Sequence, residues 1–391
     1  MKGFASGLKD KAAIAGIGAT EFSKDSGRSE LQLAAECAKA ALDDAGIAAS
    51  DVDGMITFTL DNSDEIGLCR CLGVRDLRFT TRIPGGGSAS AATIYQAMAI
   101  VGAGIADCVV TWRAMNERSQ YRFGQPHAGG YVNPGGGTTF MEWCMPFGAQ
   151  TPGSWEALAA QRYMETYGVT NEDLGRVSVV LRKHAATNPN AWFYQRPITL
   201  EDHQNSRWIA EPVLRLLDCC QESDGGVALV VTSLERARDL KQPPVRIVGA
   251  AYSLPFDVEI ITNYYHGDLS FMPEAAGVAR RLWRETGLGP RDMQVAMLYE
   301  AFTPQVLKQL EAFGFCPRGE AKDFVRDGHI ELGGSLPVDP NGGLIGEAYI
   351  HGMNNVAEGV RQVRGTSVNQ VPKVEHVLVS SGTAGAILGR D

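Results

Sequence analysis

Three segments decide the fold, and the rest of the chain is arranged around them: YEAF (residues 299–302), SLPVDPNGG (335–343) and AYIHG (348–352). An apolar run at 295–299 predicts a buried strand, and a helix is predicted from about 304 to 313. The Asn-Gly-Gly turn at 341–343 then opens another helix. Buried strands that alternate with helices predict an α/β fold with parallel strands covered on both faces.

The same order of elements occurs twice along the chain. The first copy has strands at 12–18, 54–58 and 108–112, and helices at about 29–45 and 88–101. The second copy has strands at 245–251, 295–299 and 376–380, the last of which ends the chain, and a helix at about 273–286. Gly46 and Gly287 follow the first helix of each copy and predict its C-cap. We therefore predict two similar halves, formed by residues 1–113 with 217–240 and by residues 241–391.

Residues 114–216 interrupt the first half and differ from it in composition. This segment is rich in tryptophan and polar residues, and it has helix patterns near 154–167 and 171–186. Segments inserted into an α/β scaffold often carry ligand contacts, so we expect an inserted loop domain here. Its aromatic residues either line a ligand site or form a minor core of their own.

The composition is that of a globular protein with net negative charge. Of the 391 residues, 44% are hydrophobic and 21% are charged, and the formal net charge is −9. This balance argues against nucleic acid as a partner, and an anionic ligand would need a local basic patch. Six residues are available for such a patch, although most arginines of this kind lie on solvated faces: Arg82, Arg182, Lys183, Arg280, Arg281 and Arg284.

The eight cysteines show no paired C-x-x-C spacing, so we expect reduced thiols, no metal site and a cytoplasmic location. The first residues also lack the apolar core of a secretory signal. The weakly polar run at 89–110 contains Gln96 and Asp107. These polar residues favour a buried helix that leads into a strand, and no membrane span is expected.

Several segments in order along the whole chain resemble thiolases of the sterol-carrier (lipid-transfer) type. They are RKHAATNP (182–189), PITLED (197–202), LLDCC (216–220), SDGG (223–226) and PVDPNGG (337–343). The resemblance implies the thiolase fold, which has two βαβαβαβ-ββ halves in a five-layer α-β-α-β-α arrangement with an inserted loop domain. It also implies a homodimer.

The sequence departs from these thiolases at the positions that carry thiol chemistry. The nucleophilic cysteine of the family corresponds to Gly87, which has no side chain. The next residue, Ser88, is either a substitute nucleophile or, more commonly for serine, a helix N-cap. The family's second acid–base cysteine corresponds to Ala301, and Ser380-Ser381-Gly382 stands where other thiolases have a C-terminal cysteine. Ordinary thiolase activity, which needs a thiolate and its base, is therefore not expected.

Two tyrosines replace the remaining acid–base residues of the family. Tyr299 stands in place of a histidine or asparagine, and Tyr349 stands in place of the motif histidine. Random loss would give arbitrary replacements, whereas a phenol at both positions favours a new reaction. Retro-aldol cleavage of a β-hydroxyacyl-CoA fits, because an alcohol proton is better matched to a phenolate than to a carboxylate. We expect one tyrosine to act as base and the other to donate to the enolate oxygen or to return the α-proton.

The neighbouring residues receive supporting assignments. The backbone N–H groups of Gly342 and Gly343 are expected to help stabilise the enolate oxygen. His351 either assists a tyrosine, contacts CoA or is structural, and Asn341 is expected to fix the glycine turn. Glu300 follows Tyr299 and faces the other way, so we expect an ion pair for it.

Tyrosine-substituted members of this family resemble steroid side-chain-cleaving aldolases. The resemblance implies a carbon–carbon lyase that converts a 17-hydroxy-20-carboxyl-CoA thioester of a steroid into a 17-ketosteroid and propionyl-CoA. CoA is then part of the substrate, and no separate cofactor is implied. The resemblance also implies a partner subunit of the OB-fold type (DUF35), giving a heterotetramer. The alternative is a non-catalytic acyl-CoA- or sterol-binding subunit of a larger complex.

Overall fold

The computed structural model describes residues 7–120, 122, 124, 144–255 and 267–391 of the chain. Most of the inserted segment predicted at 114–216 is included, but residues 125–143 lie outside the described residues. The division into two halves and an insertion stays a prediction about domains, while the elements themselves can be compared one by one.

The first part of the chain contains the strands and helices that the sequence pattern predicts, together with a helix (Glu65–Leu72) and a strand (Phe79–Ile83) that it did not predict. A 3-10 turn (Gly87–Ala89) directly precedes the third helix. Ser29 caps the first helix by accepting a hydrogen bond from Gln32 N, and Gly46 ends it with a φ of 73°. The elements are β1 (Ala12–Ala19), α1 (Glu30–Ala45), β2 (Gly54–Phe58), α2 (Glu65–Leu72), β3 (Phe79–Ile83), α3 (Ser90–Gly102) and β4 (Cys108–Asn116).

The middle of the chain is mainly helical before it returns to the sheet. Its elements are α4 (Pro152–Tyr167), α5 (Asn171–Ala186), α6 (Leu200–Asn205), β5 (Trp208–Ala210), β6 (Leu214–Arg215), β7 (Asp224–Ser233) and α7 (Leu234–Ala237). The two predicted helices of the insertion correspond to α4 and α5. Strands β5 and β6 form a small ribbon of their own, whereas β7 lies in the large sheet.

The last part of the chain repeats the order of the first. Its elements are β8 (Val245–Tyr252), α8 (Pro273–Thr286), β9 (Val295–Leu298), α9 (Thr303–Ala312), α10 (Ala321–Arg326), α11 (Gly343–Gly346), α12 (Met353–Arg364), β10 (His376–Ser380) and β11 (Ala384–Arg390). The prediction that the strand at 376–380 ends the chain is wrong. A further strand, β11, follows it after a short turn and pairs with it antiparallel.

Nine of the described strands form one sheet in the order β3-β2-β4-β7-β1-β8-β11-β10-β9. The two copies join between β1 and β8, where only two residue pairs are in register. Pairing directions match across this junction: β4 and β1 are antiparallel to β7 just as β10 and β8 are antiparallel to β11, and β2–β4 is parallel just as β9–β10 is. The predicted repetition is therefore confirmed at the level of topology.

Helices cover the sheet in layers. Helix α1 packs on β1, β4 and β7 at the outside of the first half, and α8 packs on β8 and β11 at the outside of the second. Helices α3 and α12 touch each other and also contact strands of both halves, so they form the central layer. This is the five-layer order expected of the thiolase fold. Within the described residues, no helix has both the length and the apolar character needed to cross a bilayer.

Candidate active site

The hydroxyl groups of Tyr299 and Tyr349 meet in the interior, with their oxygens 2.9 Å apart. Tyr299 directly follows β9, where its N–H donates to Ser380 O at 2.9 Å and its carbonyl accepts from Gln309 Nε2 at 2.7 Å. Tyr349 follows α11, and its N–H donates to Ser223 Oγ at 3.3 Å. The predicted convergence of the two phenols is therefore present in the structure.

Burial sets the protonation state of this pair. Tyr349 is buried and Tyr299 is half-buried. Removal from water raises the pKa of both hydroxyls well above 10, because a phenolate is poorly stabilised there. Both phenols are therefore neutral at pH 7, and one donates to the other. The sequence argument favoured a phenolate as the base, but in this structure neither tyrosine is a phenolate before the substrate reacts.

Gly87 lies directly against the ring of Tyr299. A β-carbon built on Gly87 would lie 1.9 Å from Cε2 and Cζ of Tyr299 and 2.0 Å from its hydroxyl oxygen. The phenol thus occupies the space in which any side chain at position 87 would have to begin. A cysteine at this position and the tyrosine at 299 exclude each other, so the missing nucleophile and the new phenol are one structural change.

Ser88 contributes its backbone rather than a helix cap. Its carbonyl accepts hydrogen bonds from Ser381 Oγ at 2.9 Å and Thr383 Oγ1 at 3.0 Å. The N-caps of the 3-10 turn and of α3 are Gly86 and Ala89, so the N-cap prediction for Ser88 is wrong. Within the described part of the chain, no base is hydrogen-bonded to its hydroxyl, and the nucleophile alternative stays untested.

The glycine turn is folded on itself. Asn341 Oδ1 accepts from the Gly343 N–H at 3.2 Å, and the Gly342 N–H donates to Asp339 O at 2.8 Å. Asn341 therefore fixes the turn, as predicted. Both glycine N–H groups are committed to this turn, which contradicts the expectation that they stabilise an enolate. The positive φ angles of 102° and 61° at these glycines explain their identity instead.

Glu300 is fully buried and has amide partners in place of the predicted ion pair. It accepts hydrogen bonds from the Leu344 N–H and from Asn355 Nδ2. Burial raises its pKa to about 8. The neighbouring carboxyl of Asp339 is also buried, and its pKa is raised by burial and by the charge of Glu300. The ion-pair prediction is therefore wrong, and the site rests on an uncharged or singly charged acid pair.

His351 is held by two charged residues that sequence reasoning missed. Arg113 Nε donates to His351 Nδ1 at 3.0 Å, and Arg113 Nη1 forms a buried ion pair with Asp61 Oδ2 at 3.1 Å. The ring of His351 stands edge-on to that of Tyr349, with centroids 5.0 Å apart. The sequence did offer a signal for this site, because Arg113 is a charged residue in the buried strand β4. It was missed because the predicted strand stopped at residue 112.

The thiols near the pair do not supply thiolase chemistry. Cys219 forms a backbone bridge with Phe302, and the Cys220 N–H donates to Ala301 O at 2.8 Å. Burial raises the pKa of both thiols well above 9, so neither is a thiolate at neutral pH. No disulfide joins any of the eight cysteines, all of which lie within the described residues, in agreement with the expected reduced state.

The six basic residues do not form one patch. Arg82 binds Glu65, Lys183 binds Glu331, and Arg182 stacks on Phe193 with its guanidinium 3.5 Å from the ring centroid. Three of the six share one place, an open cleft of about 530 Å³ along α8 that is lined by Arg280, Arg281 and Arg284 together with Trp283. Of the six candidates for a local basic patch, these three arginines are the ones that line a common cleft within the described residues.

Comparison with protein families supports the fold and its lineage. Residues 264–389 match the family model described as thiolase C-terminal domain-like. Human mitochondrial 3-ketoacyl-CoA thiolase has the same fold, with a TM-score of 0.68 at 16% identity over 98% of this chain and 99% of that one.

Two curated relatives match over nearly their full length. A protein of Thermomonospora curvata named steroid side-chain-cleaving aldolase is 58% identical, over 98% of this chain and 99% of the relative. A protein of Mycobacterium tuberculosis named 17-hydroxy-3-oxo-4-pregnene-20-carboxyl-CoA lyase is 55% identical, over 98% of this chain and 100% of the relative. A solved structure titled Ltp2-ChsH2(DUF35) aldolase superposes with a TM-score of 0.92 at 56% identity, covering 98% of this chain and 99% of that one.

Proposed function

Because the chain belongs to the steroid side-chain-cleaving aldolases of the thiolase superfamily, we propose that it cleaves a 17-hydroxy-20-carboxyl-CoA thioester of a steroid by a retro-aldol reaction. The products are a 17-ketosteroid and propionyl-CoA. The observation that carries the proposal is the pair of hydrogen-bonded phenols, 2.9 Å apart, in the space that a thiolase nucleophile would need. The substrate class follows from the names of the two relatives.

The neutral tyrosine pair provides a route for the one proton that the reaction moves. The β-hydroxyl proton passes to the oxygen of one tyrosine, whose own proton passes to the second tyrosine. The Cα–Cβ bond breaks, its electron pair forms the thioester enolate, and the second tyrosine protonates Cα. Each tyrosine ends with one proton, and the balance closes without an oxidant or a reductant. Neither phenol has to lose a proton to water, which suits hydroxyls whose pKa is raised by burial.

Replacing each tyrosine by phenylalanine tests this assignment. Tyr299→Phe and Tyr349→Phe each break the relay, so we expect kcat to fall by at least about 100-fold with little change in KM. The assay measures release of propionyl-CoA and ketone from the β-hydroxy steroid-CoA. Tyr163→Phe is the control, because Tyr163 is also a buried tyrosine but donates to Glu311 on α9, outside the pair. Full activity in both active-site variants would overturn the mechanism, and tight binding without products in the wild type would favour the alternative of a binding subunit.

The pH dependence separates a neutral relay from a resting phenolate. Raised pKa values keep both phenols protonated below pH 10, and the protonated pair is the active form. We therefore expect kcat to be flat from about pH 6 to pH 9 and to fall only as a phenol ionises at higher pH. A kcat that instead climbs tenfold per pH unit towards pH 10 would show that the phenolate is the base.

The solved relative also suggests the assembly. The name of that aldolase includes a DUF35 component, so we propose a partner subunit of the OB-fold type beside a homodimer of this chain, giving a cytoplasmic heterotetramer. Light scattering of the chain alone is expected to give twice its mass of 42.0 kDa. Co-expression with the partner is expected to add two copies of that subunit, and a monomer in both preparations would contradict the assembly.

A further inference from the structure

Glu117 is a buried carboxyl that directly follows strand β4 and that the tyrosine relay does not use. Only 3% of the residue is exposed. Its Oε2 is enclosed and has no hydrogen-bond partner within the described part of the chain. A buried polar atom without a partner is costly, and native proteins keep one mainly where a function or a bound molecule supplies the missing contact. Oε2 therefore marks a place where a ligand group is expected.

The residues of β4 alternate between two cores, and Glu117 is in line with the inner one. Even-numbered residues such as Trp112 pack in the outer core with α1, whereas Met115 packs in the core that also contains Tyr349. Residues two apart lie on the same face of a strand, so residues 113, 115 and 117 share the inner side. Arg113 agrees with this direction, because its guanidinium donates to the imidazole that stands edge-on to Tyr349.

The neighbouring strand brings Glu117 to the tyrosine pair. Continuing the antiparallel register of β4 and β7 by one step sets Glu117 opposite Ser223. Ser223 Oγ accepts from the Tyr349 N–H at 3.3 Å, and the backbone of Glu222 forms a parallel bridge with Tyr349. At this short range the charge of Glu117 acts on the hydroxyls of both Tyr299 and Tyr349. The carboxyl therefore lies beside the pair.

The carboxyl of Glu117 is expected to carry a proton at pH 7. Burial and then the charge of Glu222 raise its pKa well above 4.5. Three cations oppose this shift, but each is bound by another group: Lys24 by the carbonyl of Glu222, Arg122 by the Glu222 carboxylate and Arg113 by Asp61. The titratable groups that face Glu117 are these three cations, Glu222, Cys220, Tyr299 and Tyr349.

Among the acids that act on the tyrosine pair, Glu117 is the one with a free oxygen. The other two are Cys220 and Glu300. Glu300 already accepts from the Leu344 N–H and from Asn355 Nδ2, and a thiol is a weak donor. A protonated carboxyl, in contrast, has an O–H to donate. Glu117 is therefore the acid of this group that is available to a substrate.

From this geometry we propose that the O–H of Glu117 donates a hydrogen bond to the thioester oxygen of the substrate while that oxygen becomes an enolate oxygen. The inference rests on the proposed function for the identity of this oxygen. The tyrosine pair serves the β-hydroxyl and Cα, and the thioester oxygen is attached to the carbon next to Cα. Preorganised donors, including neutral carboxylic acids in buried sites, stabilise such developing charge. The proton stays on Glu117, so the proton balance of the relay is unchanged.

The proton on Glu117 is measured without any substrate. The infrared spectrum of Glu117→Gln is subtracted from that of the wild type at pH 7, so that the bands of the other buried acids cancel. We expect the difference to contain the C=O band of a protonated carboxylic acid. Carboxylate bands in its place would show that Glu117 is ionised before the substrate binds, and they would overturn the proposal.

Two replacements separate a neutral donor from a carboxylate. Glu117→Leu fills a similar volume without a donor, so we expect the kcat for propionyl-CoA release to fall about 100-fold with KM little changed. The side-chain amide in Glu117→Gln restores an uncharged donor, so we expect kcat within about tenfold of the wild type. An unchanged kcat in the Leu variant would overturn the donor role. An equal loss in both variants would also overturn it, because the anion would then be the form that matters.

Glu311→Gln is the matched control. Glu311 is also a buried carboxyl whose Oε2 has no partner within the described residues, but its Oε1 accepts from Tyr163 and Gly319, outside the pair. We expect its kcat to equal that of the wild type, and a loss as large as that of Glu117→Leu would contradict a specific role for Glu117. A wild type that releases no propionyl-CoA would refute the proposed function alone, whereas an ionised Glu117 would refute this inference alone.

Discussion

Gly87 and Tyr299 share one volume, and this pair explains why the thiolase nucleophile has no counterpart in the chain. A glycine is needed at position 87 because the phenol oxygen and two ring carbons of Tyr299 lie within 2.0 Å of the β-carbon position. The phenol in turn needs that space to reach Tyr349. Loss of the nucleophile is therefore a condition for the new acid–base pair, and a single reverse substitution cannot restore thiolase chemistry.

Substitution of Gly87 by alanine is expected to disable the site. The added methyl group displaces the Tyr299 ring, so we expect kcat to fall by more than about 100-fold and the free energy of unfolding to fall by about 1–3 kcal/mol. In a Tyr299→Ala background the same change should be nearly neutral for stability, because the overlapping atoms are gone. Urea denaturation of the four proteins in this cycle measures the coupling.

Gly289→Ala is the control for that cycle. Gly289 has an extended backbone, and a β-carbon there would lie 3.9 Å from the Asp292 carboxylate, an ordinary contact. A loss of stability at Gly87 that is the same with and without Tyr299 would contradict the shared-volume explanation.

At the level of single residues, the sequence predicted the tyrosine pair but not the groups that support it. Tyr299 and Tyr349 stand out because they replace motif residues at known positions. Arg113 and Asp61 are 52 positions apart in sequence. They meet only because β2 and β4 are neighbours in the sheet, which no local pattern reveals.

Among the elements, the turn that precedes α11 carries an acid pair whose proton is expected to control stability. Asp339 Oδ1 accepts from the Leu298 N–H at 2.9 Å, whereas the buried Oδ2 accepts no hydrogen bond from the described residues. Burial and the charge of Glu300 raise the pKa of Asp339, so we expect the Asp339 carboxyl to be protonated, with its proton on Oδ2. Through this carboxyl, the turn is hydrogen-bonded to Leu298 at the end of β9, directly before Tyr299.

Asp339→Asn is predicted to remove a pH dependence of stability. The pKa of Asp339 is raised in the folded state, so the folded chain holds a proton that the unfolded chain releases, and stability is lost as pH rises. This site should lower the free energy of unfolding by up to about 1.4 kcal/mol per pH unit between pH 5 and pH 8. Asn places an N–H where the carboxyl O–H lies and tolerates the φ of 45° at this position.

The measurement is a series of urea denaturation curves at four pH values for wild type and variant. We expect the Asn variant to match the wild type at pH 5 and to exceed its stability at pH 8. Asp239→Asn, at an exposed aspartate, is the control. Parallel pH curves for the wild type and Asp339→Asn would show that the carboxyl is ionised in the folded state.

Element boundaries were predictable where the chain signals them locally. Gly46 and Gly287 end their helices with φ angles of 73° and 76°, as the sequence indicated. The last strand, β11, was missed because AGAILGR lacks the β-branched, alternating pattern and is stabilised by its two neighbours β8 and β10. Similarly, the helix after the glycines at 85–87 begins with a 3-10 turn, and Tyr299 lies against Gly87 at this turn in a tertiary contact that the local sequence does not reveal.

The whole molecule is built around a shared central layer, so we expect its two halves to unfold as one cooperative unit. Helices α3 and α12 contact strands on both sides, and one continuous apolar core extends from Ile56 and Val109 in the first half to Val295 and Val377 in the second. The direct strand junction is short by comparison, with two residue pairs between β1 and β8. The central helices, more than the sheet, therefore join the halves, and the active site lies where they begin.

A cavity in the central layer is expected to destabilise both halves equally. Ile94 is fully buried in α3, and Ile94→Ala should lower the free energy of unfolding by about 2–5 kcal/mol. Fluorotryptophan labelling reports on each half, because Trp112 lies in β4 and Trp283 lies in α8. We expect the two ¹⁹F signals to lose intensity at the same urea concentration in the wild type, and at the same lower concentration in the variant.

Ala41→Gly in the outer helix α1 is the comparison, and it should also shift both signals together. Separate midpoints for the two tryptophans would show that the halves unfold independently and that the shared layer does not couple them.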